Sequence, residues 1–210
     1  YTSLGASYYL GRGVKQDYEE AVKWYSKGRQ QGESTSEYSL GRCYLYGNGV
    51  KINVKEAFNL FTAAAKHGHP YAMDELAELY YGGRGVDLDY AEAASWYEKA
   101  AELGIDNAQW RLGEMYYRGM GVEQNFEEAF KWYLEAANNR NPFGYSSIAV
   151  CYYEGKGVKK DIREAYFWWL LAYKTNDITA EEWISKIEPQ LSQVERQKVK
   201  ERESKWFNNR

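Results

Sequence analysis

The chain has 210 residues, enough for one or two compact domains or one elongated repeat domain. Its net charge of −3 argues against a general nucleic-acid binder, which needs a basic surface. No run approaches the ~18 apolar residues of a transmembrane helix, so no membrane insertion is expected, and two cysteines are too few for a disulfide framework.

Self-similarity organises the rest. Leu4, Leu40, Leu76, Leu112 and Ile148 recur every 36 residues without insertion or deletion, and each anchors a predicted pair of helices. In the first copy the opening helix ends at Gly11, Gly13 follows, and Val14 comes next. Two glycines in three residues suit a helix C-terminus, where a left-handed residue must carry no Cβ clash. The valine is expected to be buried and to pin the turn. Asp17 and Glu20 then form an expected capping box. The short side chain accepts a helix-start N–H and the Glu reaches back to the cap's own N–H. Ala21 and Trp24 follow at the small-then-large spacing of a packed helix, with the Trp in the core.

The second copy repeats this with Gly47, Gly49, Val50, Asn53, Glu56, Ala57 and Leu60. The third has Gly83, Gly85, Val86, Asp89, Glu92, Ala93 and Trp96, and the fourth Gly119, Gly121, Val122, Asn125, Glu128, Ala129 and Trp132. The fifth has Gly155, Gly157, Val158, Asp161, Glu164, Ala165 and Trp168. Two more capping boxes follow, Thr179 with Glu182 and Ser192 with Glu195. Residues 177–210 are therefore expected to form two helices that cap the last repeat, leaving 1–176 as five repeats. The opening helix starts only three residues before its anchor and is expected to be short by roughly two turns. The chain begins Tyr1-Thr2-Ser3, with no Met, basic segment or apolar signal core, and is expected to continue upstream in the full protein.

The stretch "LGEMYYRGMGVEQNFEEAFKWYLEAA" resembles the Sel-one-like repeat (SLR) family, a bacterial-type branch of the tetratricopeptide-like α-solenoids. Its pattern is L-G-x-x-Y-x-x-G-x-G-V, then D-x-x-x-A-x-x-W-Y-x-x-A-A-x-x-G, and the match runs to about residue 176. Departures are Lys27-Gly28 where an Ala pair is usual, Arg140 at a closing Gly, and Leu171-Ala172 with no closing Gly after it. The resemblance implies an all-α, right-handed superhelical solenoid of five helix-turn-helix repeats. It also implies that the first helices line a concave side that binds a protein or peptide.

Helical geometry names residues on that side. Tyr8, Tyr44, Tyr80, Tyr116 and Tyr152, four after each anchor, fall on the core side, each hydroxyl needing a partner. Positions two before, two after and five after the anchor fall opposite. They supply Tyr9, Tyr38, Arg42, Asp74, Glu78, Tyr81, Trp110, Glu114, Tyr117 and Tyr153 as the expected partner-binding residues. Tyr and Trp offer much contact area for little lost rotamer entropy, and the three acidic residues suit a basic partner segment. The competing reading is structural: the tyrosines five after the anchor pack on the next repeat, and the acidic trio is a solvated face.

No catalytic constellation is visible, so an enzyme is not expected. His67 and His69 lie at a helix end without a third ligand, and a cation at a helix C-terminus is the ordinary explanation. No metal or cofactor is expected. Cys43 and Cys151 occupy equivalent positions three repeats apart, ~27–30 Å at one helix diameter per repeat, too far for a disulfide. Two buried thiols favour a reducing, cytoplasmic compartment over a periplasmic or secreted one. The glycine turns lack P-loop spacing. No Ser has Lys three residues on, which removes support for a β-lactam-directed hydrolase. The function expected is a non-enzymatic interaction scaffold, with a bacterial regulatory or immunity role as one form. The alternative is a small-molecule or cell-wall-related hydrolase site in the groove.

Overall fold

A computed structural model describes residues 1–208, without the side chains of 207 and 208; residues 209 and 210 of the expected cap lie outside the described residues. Twelve α-helices and one short 3₁₀ turn account for the fold, with no strand among the described residues. The chain forms two compact units, residues 1–105 and 106–210. In the first unit, α1 (Thr2–Leu10) pairs with α2 (Tyr18–Gln30), α3 (Ser34–Tyr46) with α4 (Val54–Lys66), and α5 (Pro70–Gly82) with α6 (Tyr90–Glu102). Between hairpins, α2 packs on α3 and α4 on α5. In the second unit, α7 (Asp106–Arg118) pairs with α8 (Phe126–Asn138) and α9 (Pro142–Glu154) with α10 (Ile162–Lys174), with α8 on α9. Then α11 (Thr179–Ile187) and α12 (Gln193–Asn208) both pack on α10.

The hairpins are held by one recurrent contact. A Cβ added to Gly5 would sit 2.6 Å from the Tyr25 ring, one on Gly41 2.7 Å from Phe61, and one on Gly113 2.6 Å from Tyr133. Ala77 and Ala149 hold the same register in the other two repeats, where Tyr97 and Trp169 are buried. The core aromatic is thus the residue after the one expected. Leu60 and Trp168 are buried, but Trp24, Trp96 and Trp132 are only half-buried. The ammonium groups of Lys27 and Lys99 lie 3.9 Å over Trp24 and Trp96. The period of the buried stripe explains the shift: α2 buries Ala21, Tyr25 and Gly28, spaced by four and three.

The turns form as expected, with Gly11, Gly47, Gly83, Gly119 and Gly155 all left-handed. Their valines are less enclosed than expected: Val14 is exposed and the other four are half-buried. The side chains of Asp17, Asn53, Asp89, Asn125 and Asp161 accept the N–H of the Glu three residues on. The reciprocal half of the capping box is absent. Each cap's own N–H donates instead to the carbonyl of Tyr8, Tyr44, Tyr80, Tyr116 or Tyr152, at 2.9–3.1 Å. The glutamates are left for ion pairs, such as Glu56 with Arg29 at 3.2 Å and Glu128 with Lys131 at 2.6 Å. These tyrosines are half-buried rather than core; Tyr80 and Tyr152 meet Phe58 and Phe130 edge-on at 5.4 Å.

Three further expectations change. Helix α1 has 9 residues where α3 has 13, a deficit of about one turn rather than two. Thr179 does not cap α11: Asp177 accepts its N–H and hydroxyl, while Ser192 and Glu195 do make a reciprocal box at 3.0 and 3.3 Å. Gly28, an apparent departure from the pattern, is needed because a Cβ there would collide with Ser36. The missing closing glycines are missing in sequence only, because Arg140 (φ 65°) and Asn176 (φ 67°) keep the left-handed backbone of Gly32, Gly68 and Gly104.

Two stability changes follow. Gly113→Ala drives a methyl into Tyr133 and is expected to destabilise the chain by about 1–3 kcal/mol. Arg140→Gly relieves left-handed strain of about 1–2 kcal/mol against a glycine entropy cost of about 0.5–1 kcal/mol, and is expected to stabilise it slightly. Urea-denaturation midpoints measure both.

Candidate partner-binding face

In residues 1–105, three of the expected residues meet. Tyr9 of α1 and Tyr38 and Arg42 of α3 line one pocket of about 200 Å³ with Ala6, Leu10, Tyr25 and Ser39. Its walls are fixed from behind. The Tyr9 hydroxyl accepts from Asn48 Nδ2 at 2.7 Å, and its ring meets Tyr18 edge-on at 5.0 Å. The Tyr38 ring stacks on His69 at 4.5 Å and leans on Phe61. Burial pushes the Tyr25 phenol up to about 12, and neighbouring Ser39 acts against the rise. Arg42 is exposed, its guanidinium 5.9 Å from the Tyr38 ring centre and 5.7 Å from that of Tyr46.

The neighbouring helix α5 brings Asp74 and Glu78, both half-buried, with Glu75 between them. Burial raises the Glu75 carboxyl and the charge of Arg42 opposes the rise. Tyr81 packs edge-on against Tyr90 at 5.3 Å, half-buried. Sequence periodicity missed Glu75, Tyr46 and Tyr71; the last two are large rings about half exposed beside Arg42 and Tyr38. Their signal was available in the sequence: Tyr46 follows a chosen position by one residue, Glu75 follows Asp74 directly, and Tyr71 precedes Asp74 by three.

In residues 106–210 the four expected residues make separate contacts. Trp110 lies against Phe143 at 4.8 Å, carries Arg111 over its ring at 4.7 Å, and donates Nε1–H to Ser147 at 3.2 Å. Glu114 pairs with Arg118 at 3.3 Å. The Tyr117 hydroxyl donates to Glu154 at 2.7 Å and accepts from Lys156 at 3.0 Å, across to the next repeat's turn. Tyr153 lies edge-on to both rings of the stacked Trp169–Trp183 pair, at 5.7 and 5.3 Å, so α11 covers part of it. The tyrosines five after the anchor are therefore half-buried. Three lie edge-on to the first residue of their own second helix, and Tyr9 and Tyr117 also tether the following turn.

Both histidines and both cysteines are occupied in structural work. His67 Nδ1 lies 2.8 Å from the buried Glu37 carboxylate. His69 Nδ1 accepts the Ala72 N–H and caps α5, and burial lowers its basicity. Cys43 and Cys151 are free and buried, which pushes their thiols up to about 11 and about 12, far from a thiolate nucleophile at neutral pH. Among the described residues no His, Cys, Asp or Glu group is arranged to hold a metal, and no helix is long and apolar enough to cross a membrane.

The Sel1 repeat model matches residues 1–33, 34–69, 70–105, 106–141 and 143–177. Among solved structures the chain is similar to c5321, described as a protective antigen present in uropathogenic Escherichia coli strains displaying an SLR fold. The two share 35% identity with a TM-score of 0.86, over 90% of this chain but only 40% of that one. A Sel1 repeat protein from Oxalobacter formigenes is 31% identical with a TM-score of 0.81, over 89% of this chain and 74% of that one. A putative Sel1 repeat protein from Klebsiella pneumoniae subsp. pneumoniae, at 19% identity and TM-score 0.55 over 89% and 91% of the two chains, shares the fold alone. No curated protein matches the chain. Five consecutive matches, each coinciding with one helical hairpin, place this chain in the Sel1 repeat family.

Proposed function

We propose that this chain is a non-enzymatic scaffold that captures a protein or peptide partner on the exposed sides of its first helices. Service as a bacterial regulatory or immunity protein is one form of that role. The convergence of Tyr9, Tyr38 and Arg42 on one open, largely apolar pocket carries the reading. Sel1 repeats are generally non-catalytic scaffolds for protein–protein contact, which supports it. The contact residues proposed are Tyr9, Tyr38, Arg42, Asp74, Glu78 and Tyr81 in the first unit, and Trp110, Glu114, Tyr117 and Tyr153 in the second. Half-buried aromatics suit the task, since a ring already held by its neighbours loses little freedom when a partner covers its open face. Residues 177–210 are proposed as the cap of the last repeat. Ala180, Ile187, Leu191 and Val199 join its buried cluster, with Trp183 and Trp206 packed against it.

The test is partner capture from a native cell lysate with the full chain, then titration of the purified partner. Tyr38→Ala and Trp110→Ala are expected to weaken binding at least about tenfold, the 1.4 kcal/mol loss of a contact hot spot, with helicity by circular dichroism unchanged. Full affinity in both folded variants would contradict the reading.

A further inference from the structure

Ala6 is the short residue of its series; the equivalent positions hold Arg42, Glu78, Glu114 and Val150. Its small side chain leaves room for the pocket between α1 and α3, walled by Tyr9 and Tyr38 and rimmed by Arg42. We propose that this pocket receives an aromatic or branched apolar side chain of a partner peptide, with an Asp or Glu beside that anchor bound on Arg42. The proposal rests on the partner-binding reading and names the chemistry of the partner.

Size, rigidity and charge carry it. A volume of about 200 Å³ exceeds the roughly 150 Å³ of a cavity that accepts benzene, so one side-chain ring fits. Tyr9 is fixed by Asn48 and Tyr18, and Tyr38 by His69, so the walls stand ready before binding. Arg42 is the one charged residue of the lining. Helix α1 and the turn after it, residues 1–16, carry Arg12 and Lys15 and no carboxylate side chain. The carboxylates of Asp74, Glu75 and Glu78 belong to α5 and none of them lines the pocket; Glu75 is near enough for its charge to act on Arg42, so a partner's acid shares the guanidinium with it. An apolar anchor beside a carboxylate matches this arrangement, the guanidinium offering a two-pronged hydrogen-bond donor to the acid.

Random dodecapeptides displayed on phage, selected on the full chain, test it. The selected peptides are expected to share one aromatic or branched apolar residue with Asp or Glu beside it. Synthetic copies should lose at least about tenfold in affinity against Ala6→Leu, which fills the pocket. They should also weaken against Arg42→Glu and regain affinity there when their acid is replaced by Lys. A basic consensus, affinity unchanged by Ala6→Leu, or no charge-swap rescue would each overturn the proposal. Peptides insensitive to Ala6→Leu but lost with Trp110→Ala would overturn the pocket while leaving the scaffold reading standing.

Discussion

The fold depends on how closely the first helix of each repeat approaches the second. A residue without a side chain, or with only a methyl, stands over a buried aromatic: Gly5 over Tyr25, Gly41 over Phe61, Gly113 over Tyr133. Such contacts bury large rings at close-packed density, where one added carbon must displace something. Where the first helix carries Ala77 or Ala149, the aromatic partner is still buried. Each first helix is seated on its aromatic by one residue, and Tyr9, Tyr38 and Arg42 stand beside that seat: Tyr38 leans on Phe61, and Tyr25 forms part of the pocket they line.

A second constraint joins the two helices through the backbone. The carbonyl four residues after each anchor takes the N–H of the residue that caps the next helix. That cap's side chain then takes an N–H from the helix it opens, a bond worth about 1 kcal/mol each time it recurs. With the cap's own N–H already satisfied, the following glutamate serves ion pairs, including one from Arg29 to Glu56 of the neighbouring repeat. The turn is therefore defined by hydrogen bonds at both ends, which explains why its valine needs less burial than its recurrence suggests.

Much of this was legible in the sequence. Strict spacing gave the repeat, the glycines gave the turns, and Asp or Asn gave the helix starts. The capping glutamates misled because their reach back to the cap competes with a tertiary bond that sequence does not display. The core aromatic was displaced by one residue: Trp24 is more conspicuous than Tyr25, but only Tyr25 continues the stripe from Ala21 to Gly28. The left-handed closing residue at Arg140 was invisible, whereas Asn176 is of the type that most readily replaces glycine in this conformation and could have been read so. The candidate face was half legible. Helical angle placed Tyr9, Tyr38 and Arg42 together, but the pocket owes its space to Ala6, a residue whose smallness matters only beside its larger equivalents. Tyr117 and Trp110, chosen as contact residues, also hold neighbouring repeats together, through Lys156 and Ser147.

The central claim is that buried second-helix aromatics build the hairpins while half-buried first-helix aromatics meet the partner. Fluorine NMR of the chain labelled with fluorotyrosine, titrated with its captured partner, tests this most directly. The account predicts that the Tyr9 and Tyr38 resonances move while those of Tyr97 and Tyr133 stay in place. Partner-induced shifts confined to the second helices, with Tyr9 and Tyr38 unmoved, would contradict it.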